Sequence, residues 1–398
     1  MGSAVRLVLS SMGLIAATYG LARFGYGLFL PQFQEAFDLD GATAGLIQSG
    51  SFLSYCVAAV LAAPGARWPR GLVIAAGASA SLGSLAVAAA PSGTVLGIGV
   101  VVAGAGAGFA TPGTVGLIAR LIDERGRERA QTTVNAGTGV GLVIAGFLLA
   151  ATAQNWRIAW VVIGVAAVLT MVATLISARH RMPASSVGST MDSSLRPFHL
   201  FDVPGLGRIM TMAALSGAGS AAVWTFGRTH LDAAGPDVFP GQSFSVIAWI
   251  LLGAMSVIGA LAAQLVQRWS LSRAWSVTNL ALLLGTAGVG LAPAHPVIAY
   301  SAVSLFGAGY TAMTGVLIVW AMRLAPRASP VITVALFVAL ALGQAAGAMI
   351  LGTLHDVSSA PVLFLAALIM GALAIAVQPR SSLPKDNAAV LTAAFEPR

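Results

Sequence analysis

Twelve apolar runs of near membrane-spanning length, joined by short polar connections, constrain this chain more than any other feature. They fall near residues 7–30, 42–64, 71–90, 94–119, 130–153, 157–178, 206–230, 243–266, 274–292, 296–322, 330–353 and 359–377. A helix rising about 1.5 Å per residue needs ~20 apolar residues to cross a hydrocarbon core about 30 Å thick. Within lipid an isolated segment satisfies its backbone groups only as a helix. The expected fold class is therefore all-α membrane protein with twelve transmembrane helices. Composition excludes the soluble alternative: 57% of the 398 residues are hydrophobic and 9% charged, against roughly 25% charged in a water-facing domain. The first run follows Arg6 and outlasts a signal peptide's apolar segment, so it reads as a retained first helix.

The net charge of +8 is distributed by side rather than clustered. With the N-terminus on the cytoplasmic side, 18 of the 21 Lys and Arg fall in cytoplasmic segments, and only Arg23, Arg157 and Arg228 fall elsewhere. The opposite connections carry Glu35, Asp38, Asp40, Asp232, Asp237 and Asp356. Each loop pair obeys the positive-inside rule, and a miscounted helix would scramble the alternation. The expected location is a bacterial cytoplasmic membrane, with both termini cytoplasmic. No basic patch is interleaved with aromatics, which excludes nucleic acid as a partner.

The break between the sixth and seventh runs is the only long polar segment between helices. It divides the chain into an N-terminal six-helix half (1–178), a linker (179–204), a C-terminal half (205–378) and a tail (379–398). The halves repeat at an offset near 200. Leu61-Ala62-Ala63 with Arg67-Trp68 and Arg70 recurs as Leu261-Ala262-Ala263 with Arg268-Trp269 and Arg273. Gly106-Ala107-Gly108-Phe109 recurs as Gly307-Ala308-Gly309-Tyr310. Two pseudo-symmetric six-helix bundles enclosing a midplane site are a transporter architecture.

Polar groups inside the apolar runs mark the candidate site, because a central arginine costs about 2.5–3.5 kcal/mol to insert. Arg23 shares a helical face with Tyr19 and Tyr26. Arg228 lies in the equivalent seventh run beside Trp224, Phe226 and His230. Two guanidinium forks on paired helices suit a carboxylate, phosphate or sulfonate. Arg23 has the alternative of bonding backbone carbonyls or a neighbouring helix, and Arg228 that of snorkelling to the outer interface. Further candidates for substrate contact are Gln48, Tyr55, Thr111, Asn135, Trp249, Tyr310, Thr314 and Gln344, each able instead to bond a neighbouring helix. His230 is a candidate proton or gating site. All 13 Asp and Glu fall in connections, helix ends or tails, so a proton-coupled pump lacks its usual buried carboxylate. No P-loop, zinc spacing or catalytic triad is present, and Cys56 is a lone packing residue; the chain reads as a non-enzyme without metal or cofactor.

Over nearly its whole length the chain resembles the major facilitator superfamily. The stretches Ala59 to Arg70 and Gly259 to Arg268 stand where that family carries its Gly-x-Leu-x-Asp-Arg-x-Gly-Arg loop. The basic residues are kept, while Ala63 and Ala263 stand near the acid's place. The resemblance makes Arg67, Arg70 and Arg268 gating candidates and puts the family's acidic latch in doubt. The segment Gly20 to Pro31 is similar to a bacterial branch labelled by the YbfB and YjiJ proteins, which implies fold and transport but no substrate. Organic-anion members, including glycerol-phosphate carriers, use arginines on the same helices. The resulting expectation is a carrier, secondary active or facilitative, moving a small organic anion by alternating access. An exporter of hydrophobic drugs and a transporter-shaped sensor without flux are the competing readings. The expected partners are the small-molecule solute, a co- or counter-transported ion if transport is coupled, and membrane lipid, with the chain a monomer.

Overall fold

The computed structural model describes residues 2–62, 68–152, 155–179, 203–235, 244–266, 270–324 and 329–377. The gating candidates Arg67 and Arg268, most of the expected linker, and all of the expected tail lie outside the described residues. Among those described there is no strand. Twelve helices follow one another: α1 (Ser3–Phe37), α2 (Gly41–Ala62), α3 (Pro69–Ala88), α4 (Gly93–Leu121), α5 (Glu124–Thr152), α6 (Trp156–Arg179), α7 (Leu206–Ala234), α8 (Phe244–Val266), α9 (Leu271–Leu291), α10 (Pro296–Leu324), α11 (Ser329–Val357) and α12 (Ala360–Ala376). Ten are long and apolar enough to span a membrane by these described residues, and α8 and α12 add shorter apolar stretches. Large side chains such as Leu82, Phe147, Leu169 and Val297 are exposed, which suits surfaces facing lipid rather than water.

Several helices outrun their apolar runs. α1 begins at Ser3 and reaches Phe37, α5 begins at Glu124, and α7 reaches Ala234. Hydropathy marks where lipid contact ends, whereas backbone hydrogen bonding continues into the interface. Specific residues end the helices there. Asp38 closes α1 in the left-handed conformation (φ 51°), with Leu39 N–H donating to Gln34 O at 3.3 Å. Asp40 then starts α2, its carboxylate accepting from Thr43 N–H at 2.7 Å. Hydrogen bonding from Thr43, by its side chain first and its backbone N–H second, holds the Asp40 carboxyl below its ordinary pKa. Glu35, Asp232 and Asp356, expected in connections, sit instead in the final turns of α1, α7 and α11.

Helix pairing is the same in both halves. In the first, α3 packs on α4 and α6, α2 on α4, and α1 on α5 and α6. In the second, α9 packs on α10 and α12, α8 on α10, and α7 on α11 and α12. The repeated glycines serve these crossings. A Cβ at Gly108 would lie 2.5 Å from the Tyr55 carbonyl of α2, and one at Gly307 would collide with the Leu252 carbonyl of α8. Such approach suits helices in lipid, where no hydrophobic force drives them together.

The halves meet along α1 with α7, α2 with α11, and α5 with α8. At the face bearing the acidic residues, Asp356 of α11 accepts from Gly41 and Ala42 N–H of α2 at 2.7 and 2.8 Å. Gly45 abuts Ala348 of α11, and Gly27 abuts Trp224 of α7. Nearer the middle, Gly139 of α5 would meet the Gly253 carbonyl of α8 at 2.7 Å if it bore a Cβ. The acidic face is therefore closed by backbone-to-backbone packing between the halves.

Candidate functional site

Both helices that carry the membrane arginines contain a stretch of widened turns. In α1 it covers Ala16–Arg23, with Phe24 N–H reaching back five residues to Tyr19 O; in α7 it covers Ala222–Phe226. Such π-turns shift the phase of the side chains beyond them and recur at functional sites. With Phe24 matched to Phe226 across the repeat, the two stretches overlap. They deliver Arg23 and Trp224 to the boundary between the halves.

Arg23 is 3% exposed and lies in an aromatic shell. Its guanidinium stands 4.2 Å from the Tyr55 ring centroid, 5.1 Å from Phe24 and Phe52, and 5.6 Å from Tyr19. Nη2 donates to Gln344 Oε1 of α11 at 3.2 Å, across the boundary between the halves. Gln344 in turn donates from Nε2 to the Tyr310 hydroxyl at 3.1 Å. On the other side the Tyr19 hydroxyl lies 2.8 Å from Thr111 Oγ1 and 3.4 Å from the Tyr55 hydroxyl. Nε has no partner, and among the described residues no carboxylate pairs with this cation. Aromatic faces offer roughly 0.5–2 kcal/mol each to a desolvated cation. With one hydrogen bond they can offset an insertion cost of about 2.5–3.5 kcal/mol. They leave the charge itself uncompensated.

Beyond Phe24 lies an aromatic box centred on Trp224. Its ring stacks on Phe24 (centroids 4.2 Å) and meets Tyr310, Phe306 and Trp249 edge to face at 5.1, 5.4 and 6.0 Å. The indole N–H groups of Trp224 and Trp249 are buried without partners, as are both amide atoms of Gln48. Gln48 sits on α2 between Gly45, which abuts α11, and Phe52, which rests on Arg23.

Arg228 is built differently. It is 4% exposed, so it does not snorkel to the interface. Nη2 pairs with Asp232 Oδ2 at 2.9 Å, Nη1 donates to Gln32 Oε1 at 2.6 Å and to the Leu28 carbonyl, and Nε donates to Ser245 Oγ at 3.2 Å. The Ser245 hydroxyl also donates to Asp232. Leu28 and Gln32 belong to α1, so this arginine ties the halves together at the acidic face. Its donors are committed within the protein, which sets it apart from Arg23.

The remaining candidates separate from this cluster. Tyr26 donates to Ala44 O at 3.1 Å and packs on Phe33, anchoring α1 to α2. Thr314 donates to Thr311 O in its own helix at 2.8 Å. Asn135 is exposed at a break in α5. His230 Nε2 lies 3.3 Å from Gly290 O and its ring packs on Phe364, both within the second half. Arg70 donates to Ala178 O at the end of α6 at 3.1 Å, a contact inside the first half. Sequence reasoning did not single out Phe24, Phe52 and Phe306, because a phenylalanine in an apolar run carries no signal that separates it from the rest of the run. Gln32 and Ser245 went unnoticed because a helix-end amide or hydroxyl carries no signal of its own. Among the described residues no three His, Cys, Asp or Glu side chains gather into a metal site.

The bundle's layout is shared with solved transporters. A bacterial homologue of the human lysosomal transporter Spinster, in an inward-facing unoccupied conformation, matches with a TM-score of 0.71 at 15% identity, covering 95% of this chain and 96% of its own. A POT family transporter in complex with a thioalcohol-conjugated peptide matches at 0.74 and 13%, covering 98% and 96%. The nucleoside transporter NupG matches at 0.68 and 14%, covering all of both chains. No curated protein matches the chain in sequence. The family profile described as Major Facilitator Superfamily matches residues 12–348. With that match over most of its length and the twelve-helix bundle above, the chain belongs to the Major Facilitator Superfamily and is a multi-pass membrane transporter of that type.

Proposed function

We propose that the protein carries a small organic anion across the bacterial cytoplasmic membrane by alternating access, with Arg23 holding the anionic head. The observation that carries this reading is the Arg23 guanidinium: buried at the boundary between the halves, bonded to Gln344 of the opposite half, and without a counter-ion among the described residues. An anion arriving there completes the charge pairing and contacts both halves at once, which is what coupling binding to rocking requires. Arg228, tied to α1 through Leu28 and Gln32, serves as the outer gate. The positive-inside distribution supports a cytoplasmic location for both termini. The aromatic box suits the competing reading, an exporter of neutral hydrophobic compounds. Such a cargo would leave Arg23 unpaired at every turnover, so the anion is preferred.

Flux of organic anions into proteoliposomes tests this directly, wild type against Arg23→Gln and Arg23→Lys. Arg23→Gln should abolish saturable anion flux, while Arg23→Lys should keep it with a raised KM, because an ammonium supplies the charge without the planar fork. Saturable flux in Arg23→Gln with an unchanged KM refutes the assignment.

A further inference from the structure

Four side chains on helices that meet at the boundary between the halves carry polar groups buried without a protein partner, and these are mostly donors. Arg23 Nε and the indole N–H groups of Trp224 and Trp249 can only donate; the Gln48 amide can donate and accept. These four side chains are between 1% and 3% exposed. Buried donors without acceptors are costly in a finished fold, so the arrangement is complementary to an acceptor-rich guest. The second half supplies the two indoles from adjacent helices, their rings 6.0 Å apart. The first half supplies Arg23 and Gln48. Between Arg23 and the indoles stands a wall of rings: Phe24 contacts the guanidinium at 5.1 Å and the Trp224 ring at 4.2 Å.

Resting on the anion reading above, we propose that the substrate is an aromatic carboxylate whose ring carries oxygen acceptors. Its carboxylate lies on Arg23, its ring enters the Phe24–Trp224–Tyr310 wall by offset or edge-to-face contact, and its ring oxygen accepts from the Trp224 and Trp249 indoles. Gln48 meets a ring hydroxyl with either face of its amide. An aliphatic dicarboxylate would use Arg23 but leave the rings and both indoles without partners. An organic cation would set donors against donors.

Calorimetric titration of the purified full-length protein with succinate, cyclohexanecarboxylate, benzoate and 4-methoxybenzoate tests this. Benzoate should bind about threefold or more tighter than cyclohexanecarboxylate, the scale of an aromatic contact beyond area burial. The methoxy oxygen should add about fivefold, the scale of one net hydrogen bond. Trp224→Phe and Trp249→Phe keep a ring and delete the donor, so the ratio of 4-methoxybenzoate to benzoate affinity should fall toward one. That ratio is taken within a single preparation and does not depend on the variant's stability. Arg23→Gln should weaken all four acids together. Equal binding of cyclohexanecarboxylate and benzoate overturns the aromatic class, and the anion site stands if Arg23→Gln still weakens both. An undiminished methoxy ratio in both tryptophan variants overturns the indole assignment. No carboxylate binding to the wild type overturns this proposal and the anion reading with it.

Discussion

A single methyl group at Gly27 tests whether the halves part at the acidic face. The α1 backbone there is so near α7 that a Cβ would fall well inside 3.0 Å of the Trp224 carbonyl, closer than real Cβ atoms come. The obstacle is backbone, so no rotamer change relieves it; α1 and α7 must separate. Overpacking of this kind costs about 1–3 kcal/mol. If the cost falls only on the closed arrangement, the closed-to-open ratio drops about 5- to 150-fold, since about 1.4 kcal/mol is a factor of ten. Gly25→Ala is the control: two residues away, its Cβ would meet only Trp160 Cζ2, at 3.9 Å, ordinary contact. Spin labels at the exposed positions Ala36 and Ala233, at the ends of α1 and α7, report the separation. Cys56→Ser in the background removes the native thiol and keeps a donor toward Val338 O. Gly27→Ala should add a long-distance component absent from wild type and Gly25→Ala. An unchanged distance distribution at an unchanged Tm refutes the steric argument. An unchanged distribution at a lowered Tm shows a crossing fixed by packing, one that does not open.

Arg228→Met should lower Tm sharply and add the same long-distance component. It strands Asp232 and unties α1, and breaking a buried pair costs about 3–5 kcal/mol, toward the low end here because Asp232 is 28% exposed. Adding Asp232→Asn should cost less than the two single losses combined, read as non-additive Tm values. Asp356→Ala removes the acceptor for Gly41 and Ala42 N–H and should cost about 0.5–2 kcal/mol in thermal unfolding, the range of a lost helix cap. Arg70→Ala should lose about 1 kcal/mol of stability, one hydrogen bond to Ala178 O; a collapse of flux at wild-type Tm would instead favour the gating role.

The bundle was legible because lipid leaves a chain few options. An apolar run of membrane length must be a helix, so hydropathy sets the number of helices, while the arginine positions give the expected direction. The six-plus-six repeat could be read from glycines such as Gly108 and Gly307, because close helix crossings in lipid depend on small residues. Helix ends were less legible. Glu124 to Arg129 read as a polar connection, yet they form the first turns of α5, because at the interface water and side chains tolerate charge on a helix. The π-turns at Ala16–Arg23 and Ala222–Phe226 have no composition that announces them.

The two arginines show where sequence cost stops being informative. Both stand in apolar runs, so insertion energy flags both equally, and nothing in that energy says what neutralises them. The spacing of Arg228 and Asp232 was in the sequence, but assigning residue 232 to a connection hid the i,i+4 pair that a helix running to Ala234 creates. Once that pair forms, Arg228 needs no ligand, and its remaining donors are free to grip Leu28 and Gln32 of the other half. Arg23 has aromatic faces and one amide but no carboxylate. A cation neutralised locally can hold a gate shut without substrate, whereas one left unneutralised gains charge pairing only when an anion arrives. The same residue type on equivalent helices therefore divides into a paired and an unpaired cation by whether its own helix supplies an acid one turn on, and the proposed division into outer gate and anion site rests on that difference.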